Sequence, residues 1–311
     1  MGKNTRWASF TSSQGFEIQF PVSTVEGDNS GPHLVITAGL HGCEYSGIAA
    51  AIELYKYLNP AKLKGKIDIV TVASVAAFYE KSPFVNPADK KNPNRTFPGR
   101  EDGSYTEAQV YFLLNEIIDG CDFYLDLHCG DMIELIEPFA IYHTGAGEEI
   151  DTKSSELAFY YGLPSVIPTA SDGVWPDRGT SYAAAAELGI PGAIVEAGGN
   201  GMIEQQAVDI HLQGLLNVLR LLGMIKGRPY APDKSVLYKD FKWLYAPVQG
   251  IWHQELPLGS ALEPGDNLGR IEDLFGTQLI TLTSPVAGKL VFTTSAAAMT
   301  EGDIVLGIAM S

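Results

Sequence analysis

A histidine and a glutamate stand three residues apart in Ala38-Gly39-Leu40-His41-Gly42-Cys43-Glu44, directly after the apolar run Leu34-Val35-Ile36-Thr37. Zinc accepts imidazole nitrogen and carboxylate oxygen, and two such ligands leave a third to be found. The third candidate is His128, which closes the β-like run Phe123-Tyr124-Leu125-Asp126-Leu127. Two histidines and one glutamate would leave one zinc position open for water, as catalytic sites do and closed structural sites do not. A lone HxxE triplet also arises by chance. Here, however, a strand-like run precedes each ligand segment, glycines flank both, and a second acid lies downstream. That acid is Glu196, in Ala193-Ile194-Val195-Glu196-Ala197-Gly198-Gly199. Open α/β sheets present functional groups at the carboxyl ends of their strands, where Glu196 is expected. Its bland alternative is a strand-end acid that caps a turn.

The elements that must position these residues alternate between β-like and helical patterns. Strands are expected over 34–38, 67–73, 123–127 and 193–196, and helices over 46–58, 105–118, 154–161, 180–188 and 204–222. Such alternation predicts an α/β fold, a mostly parallel or mixed sheet with helices on both faces. Composition changes near Lys226-Gly227-Arg228-Pro229, after which helical periodicity vanishes and short β-like runs recur between turns. We expect residues 1–228 to form the catalytic domain and 229–311 a small all-β domain. The latter resembles the barrel-sandwich fold of biotinyl and lipoyl domains. Lys289 falls inside a predicted strand and not at a hairpin tip, so no carrier function is read from it.

The bulk numbers narrow the function. The 311-residue chain is 45% hydrophobic and 19% charged, as a globular protein is. Its formal net charge of −16 argues against nucleic acid and anionic membranes as partners. No window approaches the length of a membrane span, and the N-terminus lacks the apolar core of a signal peptide. Met1-Gly2 begins a myristoylation pattern that Arg6 breaks. The three cysteines, Cys43, Cys121 and Cys129, make no disulfide framework, so a cytoplasmic location is expected. Cys43 and Cys129 adjoin proposed ligands and are read as small space-fillers.

Four motifs occur in order: Gly39-Leu40-His41-Gly42-Cys43-Glu44, Asn92-Pro93-Asn94-Arg95-Thr96-Phe97-Pro98-Gly99, Asp126-Leu127-His128 and Val195-Glu196-Ala197-Gly198-Gly199. Together they resemble the succinylglutamate desuccinylase/aspartoacylase family, relatives of the zinc carboxypeptidases whose members also carry a small C-terminal β domain. The resemblance implies that His41, Glu44 and His128 bind one zinc ion per chain. It implies that Glu196 is the base that activates water and the acid that protonates the leaving nitrogen. Arg95, with Asn94 beside it, would hold the substrate carboxylate, for which a guanidinium fork is suited. Arg178 would be a second anion-binding arginine, or else a salt-bridge partner of Asp177 or another acid. Cobalt or manganese could occupy the same ligands.

The remaining polar residues are weaker candidates. Asp126 would orient His128 or pair elsewhere. Tyr182 would contact substrate or simply pack. His143 reads as a packed strand residue, and His33, His211 and His253 as structural.

Three functions compete. The leading one is a zinc amidohydrolase that removes an acyl group from a small N-acyl amino acid through zinc-activated water. The same motifs fit a metallocarboxypeptidase that cleaves C-terminal residues. An inactive small-molecule binding protein on the same fold would carry a damaged ligand set, whereas all four residues are present. The acidity of the chain and a single well-placed arginine favour a substrate with a neutral or cationic side chain, such as an acetylated diamino acid. The β domain offers a contact for a homo-oligomer.

Overall fold

A ten-residue hairpin opens the chain: β1 (Gly2–Thr11) pairs antiparallel with β2 (Glu17–Glu26). The computed structural model describes residues 2–173, 177–232 and 235–311. β3 (Asn29–Ala38) leads into α1 (Tyr45–Tyr57), and β4 (Lys64–Val70) into α2 (Val75–Glu80). α3 (Tyr105–Phe112) precedes β5 (Phe123–His128), the short β6 (Glu134–Ile136) and β7 (Phe139–His143). Then follow α4 (Glu148–Tyr161), β8 (Ser165–Thr169), α5 (Ser181–Glu187), β9 (Gly192–Glu196), α6 (Gln205–Leu221) and β10 (Val236–Leu237).

Nine of these strands form one mixed sheet in the order β1-β2-β4-β3-β5-β9-β7-β8-β10. Its centre, β4-β3-β5-β9, is parallel, while β2 and β7 join it antiparallel on either side. A centre buried on both faces needs near-continuous apolar runs. Leu34, Val35 and Ile36 meet that need, as do Ala193, Ile194 and Val195. On one face α1, α4 and α6 bury Leu54, Leu157, Leu215 and Leu219 with Ile36 and Leu125. Each such fully buried side chain contributes about 1.5–3 kcal/mol. On the other face Val110, Leu113, Leu114 and Ile118 pack with Phe20 and Val35. Among the described residues no helix is long and apolar enough to cross a membrane.

The predicted strands and helices are present; the strand expected over 67–73 lies at Lys64–Val70, α2 and β8 were not predicted, and three further differences have physical reasons. The β1–β2 hairpin escaped prediction because an edge strand exposes most of both faces, so β1 shows little apolar alternation. The helix expected over 105–118 widens to π geometry at Leu113–Ile118, where Leu113, Leu114, Ile117 and Ile118 are all buried. Helix α4 begins at Glu148, earlier than expected, because its first two turns are acidic and solvent-facing.

The C-terminal strands are β11 (Asp240–Tyr245), β12 (Gly250–Gln254), β13 (Ala261–Leu262), β14 (Asn267–Glu272), β15 (Gln278–Thr283), β16 (Gly288–Thr294), β17 (Ala298–Met299) and β18 (Ile304–Met310). They form two sheets, β11-β18-β16-β13 and β15-β14-β12-β17. The apolar fill between them includes Trp252, Leu268, Leu290 and Leu306. Lys289 lies within β16 and pairs with Glu137 at 2.9 Å. Two strands reach over the proposed 228/229 boundary. β10 extends the large sheet beside β8, and β6 adds an edge strand to β16. The second of these contacts shapes the site.

Candidate active site

Strands β3, β5 and β9 are parallel neighbours, so their carboxyl ends open on one sheet edge. His128 ends β5 and Glu196 ends β9, directly opposite each other in register. His41 follows β3 through Gly39-Leu40, and Glu44 stands at the N-cap position of α1. The turn between them depends on Gly42, where a Cβ would come within 2.2 Å of the Phe78 backbone nitrogen. After Glu196 the chain turns at Gly198 (φ +97°), where a Cβ would press on Ala207 and Ser46.

One ligand atom from each of His41, Glu44 and His128 lies within 4.8 Å of the others. His41 Nδ1 is 2.6 Å from Glu44 Oε1, and His128 Nδ1 is 2.8 Å from Glu44 Oε2. The outer nitrogen of His41 sets its tautomer. Asn92 Oδ1 accepts the Asn94 N–H at 2.8 Å, which identifies it as the amide oxygen, so His41 Nε2 must donate to it at 3.0 Å. His128 Nε2 lies 3.1 Å from Asp126 Oδ2, close enough for charge attraction but outside good hydrogen-bond alignment. Asp126 is itself held by Thr37 Oγ1 at 2.6 Å and Ser181 Oγ at 2.5 Å.

His41, donating from Nε2 to Asn92, turns its Nδ1 lone pair towards the Glu44 carboxylate, while His128 Nδ1 lies within hydrogen-bond distance of the other Glu44 oxygen. Only a shared cation, proton or metal, reconciles those distances. The donor set therefore fits a zinc-like ion, with Asn92 and Asp126 orienting the imidazoles from behind. The charges agree. Burial alone would raise the Glu44 carboxyl, yet the imidazoles of His128 and His41 outweigh it and hold it at about 2. Burial would lower His128, but Glu44 and Asp126 hold it well above the usual histidine range. The positive charge those acids demand is the one a divalent cation would supply.

Glu196 keeps part of its surface open to the cleft, while its Oε2 is buried without a hydrogen-bond partner. Burial pushes its carboxyl up to about 8; His128 and Arg95 oppose the shift, and Glu44 and Asp126 add to it. A carboxyl poised near neutrality beside the cluster can both take and return a proton. Arg95 comes from the loop before α3, and its Nη1 donates to Asn94 O at 2.6 Å. Asn94 is buried, and its Oδ1 accepts the Ser181 N–H at the start of α5. Both line the same cleft as the cluster and Glu196.

Other candidates lie elsewhere. Arg178 is exposed beside a separate depression with His143, Gly145 and Ala170, away from the residues that line the cleft. Trp175 and Pro176, which precede it with Asp177, fall outside the described residues. Tyr182 is fully buried, its hydroxyl 2.8 Å from Thr169 Oγ1, which is a packing role. His143 pairs with Asp177 at 2.7 Å. Burial raises the Cys43 and Cys129 thiols, which fits their reading as space-fillers.

Sequence reasoning overlooked three contributions. Asn92 stood inside a quoted motif but received no role. His211, on α6, sits 3.1 Å from His128 O and 3.3 Å from Ala197 O, so it ties the ends of β5 and β9 to the helix behind them. The cleft itself, about 370 Å³, is walled by Phe241, Trp243 and Phe292 from the C-terminal strands. No local pattern announces such a wall, because it exists only where two distant segments meet. Its volume lies towards the small end of ligand cavities, about 300–1,000 Å³.

A mixed α/β sheet carries, at adjoining strand ends, a His/Glu/His cluster that could hold a metal ion beside a glutamate whose Oε2 has no hydrogen-bond partner among the described residues, an arrangement suited to hydrolytic metal chemistry. Residues 30–222 match the model of the succinylglutamate desuccinylase/aspartoacylase catalytic domain, and the chain belongs to that family. Over 262 residues it is 29% identical to the N-alpha-acetyl-L-2,4-diaminobutyric acid deacetylase of Halomonas elongata, which covers 83% of this chain and 75% of that protein. The fold matches the product-bound ectoine utilization protein EutE (DoeB) from Ruegeria pomeroyi with a TM-score of 0.88 at 23% identity, covering 100% of this chain and 96% of that one. A succinylglutamate desuccinylase/aspartoacylase from Rhodobacter sphaeroides matches with a TM-score of 0.84 at 23% identity, over 99% and 95% of the two chains. The C-terminal β region is thus part of the shared architecture.

Proposed function

We propose that this protein is a zinc-dependent deacylase that hydrolyses the amide of a small N-acyl amino acid, with an Nα-acetylated diamino acid as the preferred class. The observation that carries the reading is the convergence of His41, Glu44 and His128 with Glu196 and Arg95 in one small cleft. The similarity to a diaminobutyric acid deacetylase supports the substrate class.

His41, Glu44 and His128 would hold the zinc ion. When bound, it polarises the amide carbonyl and makes water acidic enough to ionise near neutral pH. Glu196 takes a proton from the attacking water and returns it to the leaving nitrogen as the C–N bond breaks. The products are a carboxylate and a free amine. Arg95 receives the substrate α-carboxylate, with Asn94 fixing its loop. The aromatic wall limits the length of what enters and excludes water from the reacting amide. Arg178 would assist only if its segment turned towards the cleft. The three cysteines are unpaired, in keeping with our proposed cytoplasmic location.

Metal analysis of purified protein, beside hydrolysis of a panel of N-acetyl amino acids, tests the reading. Near one zinc per chain with amine release supports it. Metal without release from any member, together with cleavage of C-terminal peptide residues, would replace it with the carboxypeptidase reading. A protein that takes up no metal when zinc is supplied refutes both.

A further inference from the structure

The described residues lining the cleft include four acids, Glu44, Glu134, Glu196 and Asp303, against one permanent cation, Arg95. The proposed chemistry uses Glu44 as ligand, Glu196 as proton carrier and Arg95 for the α-carboxylate. Glu134 and Asp303 remain without a role. They differ in surroundings. Asp303 is exposed at the rim, and its Oδ2 accepts the Thr300 N–H at 2.7 Å. Glu134 is half-buried in the cleft wall, near Asp131, Glu44 and Glu196 and within electrostatic reach of Arg95.

A carboxylate in such a place needs a reason. Glu134 Oε2 accepts the Asp131 N–H at 2.8 Å, which one oxygen satisfies, and Oε1 takes no hydrogen bond among the described residues. Its backbone is fixed from outside the catalytic sheet, since Glu134 pairs in register with Thr294 of β16. The C-terminal strands thereby hold this acid against the cleft, beside the aromatic wall they also supply. Burial, followed by the nearby acids, drives its carboxyl well above the usual range despite the Asp131 N–H, so a cation placed beside it would be strongly favoured.

We propose that Glu134 is the specificity-determining residue that receives the side-chain ammonium of the substrate, while Arg95 receives its α-carboxylate. The proposal rests on the deacylase reading and deepens it. A zwitterionic N-acyl diamino acid then places each charge opposite its complement. A dicarboxylic substrate would instead bring a second negative charge to a wall of acids. Glu134 outranks Asp303 because water screens an exposed carboxylate more than a half-buried one.

The test compares Nα-acetyl-2,4-diaminobutyrate with Nα-acetylnorvaline, its near-isostere without the ammonium, on zinc-loaded wild type, Glu134→Gln and Asp303→Asn. The isosteric glutamine keeps an acceptor for the Asp131 N–H. Wild type should prefer the diamino substrate, and Glu134→Gln should cut that preference about 10- to 100-fold. Glu134→Asp, which keeps the charge, should retain part of it, and Asp303→Asn nearly all of it. Calorimetric binding of 2,4-diaminobutyrate against norvaline should show the same order without relying on turnover. An unchanged preference in Glu134→Gln, or equal losses on both ligands, overturns the assignment while leaving the deacylase intact. A loss confined to Asp303→Asn transfers the role to the rim and refutes it as stated. A wild type indifferent to the ammonium in both turnover and binding sinks the substrate class and the Glu134 role together.

Discussion

His128 and Glu196 face each other across the parallel register of β5 and β9, each the last residue of its strand. The proposed metal ligand and the proposed proton carrier are thereby set side by side by backbone hydrogen bonding, without relying on a flexible loop. The adjacent strand β3 delivers His41 and Glu44 to the same edge, so three neighbouring strands assemble the site. His211 reinforces the pairing by contacting the carbonyls of His128 and Ala197.

That placement makes Glu196→Gln the sharpest test of mechanism. The amide preserves shape but cannot accept and return a proton, so turnover should fall about 10²- to 10⁴-fold. Zinc content should match wild type, because Glu196 is not among the clustered ligand atoms. Retained turnover would remove Glu196 as the base.

Asn92 should matter through His41. Its amide oxygen holds the imidazole with Nδ1 turned towards Glu44. Asn92→Ala should weaken zinc affinity about 10- to 100-fold, as losses behind a ligand do. His41→Ala should abolish stoichiometric binding. Competition with a chelator of known affinity measures both, and an Asn92→Ala affinity equal to wild type would show that the ring orients itself.

Arg95→Lys keeps a positive charge but removes the planar fork. For an N-acetyl amino acid, KM should rise and kcat/KM should fall about tenfold or more, with zinc content unchanged. An amide substrate lacking the α-carboxylate should be nearly insensitive to the change. Equal losses on both substrates would mean that Arg95 supports the loop and not the ligand.

Stability should depend on pH through the N-terminal cap of α3. At the start of α3, Glu107 Oε2 accepts Lys91 Nζ and the Ser104 N–H, each at 2.9 Å. The Lys91 contact first, and then the Ser104 amide, lower its carboxyl from an ordinary 4.5 to about 2. The folded value is the depressed one, so the stabilisation is fully present above the unfolded value of about 4.5 and is lost as pH falls through the folded value. Near neutral pH, Glu107→Gln should cost about 1 kcal/mol, mostly from the weakened cap. Urea midpoints of the two proteins should converge as pH drops below 4.5 towards 2. A gap that stays constant over that range would contradict the assignment.

The candidate ligand cluster, the acid beside it and the alternating α/β core were legible from residue order alone. Zinc chemistry admits few donor types, and apolar runs ending in polar residues mark strand ends, so His41, Glu44, His128 and Glu196 announce themselves locally. The same logic does not reach what depends on distance in the chain. Arg178 carries the right charge, but its backbone leaves it exposed beside another depression. Asn92 and Asp126 acquire their meaning only from the imidazole nitrogens they face. Glu134 has no sequence signal at all. It enters the cleft because β6 pairs with β16, a contact between segments more than a hundred residues apart in the chain. Ligand identity is a property of side-chain chemistry, which the sequence states directly. Cleft shape and charge balance depend on which strands pair and which faces meet, and only the folded chain decides those.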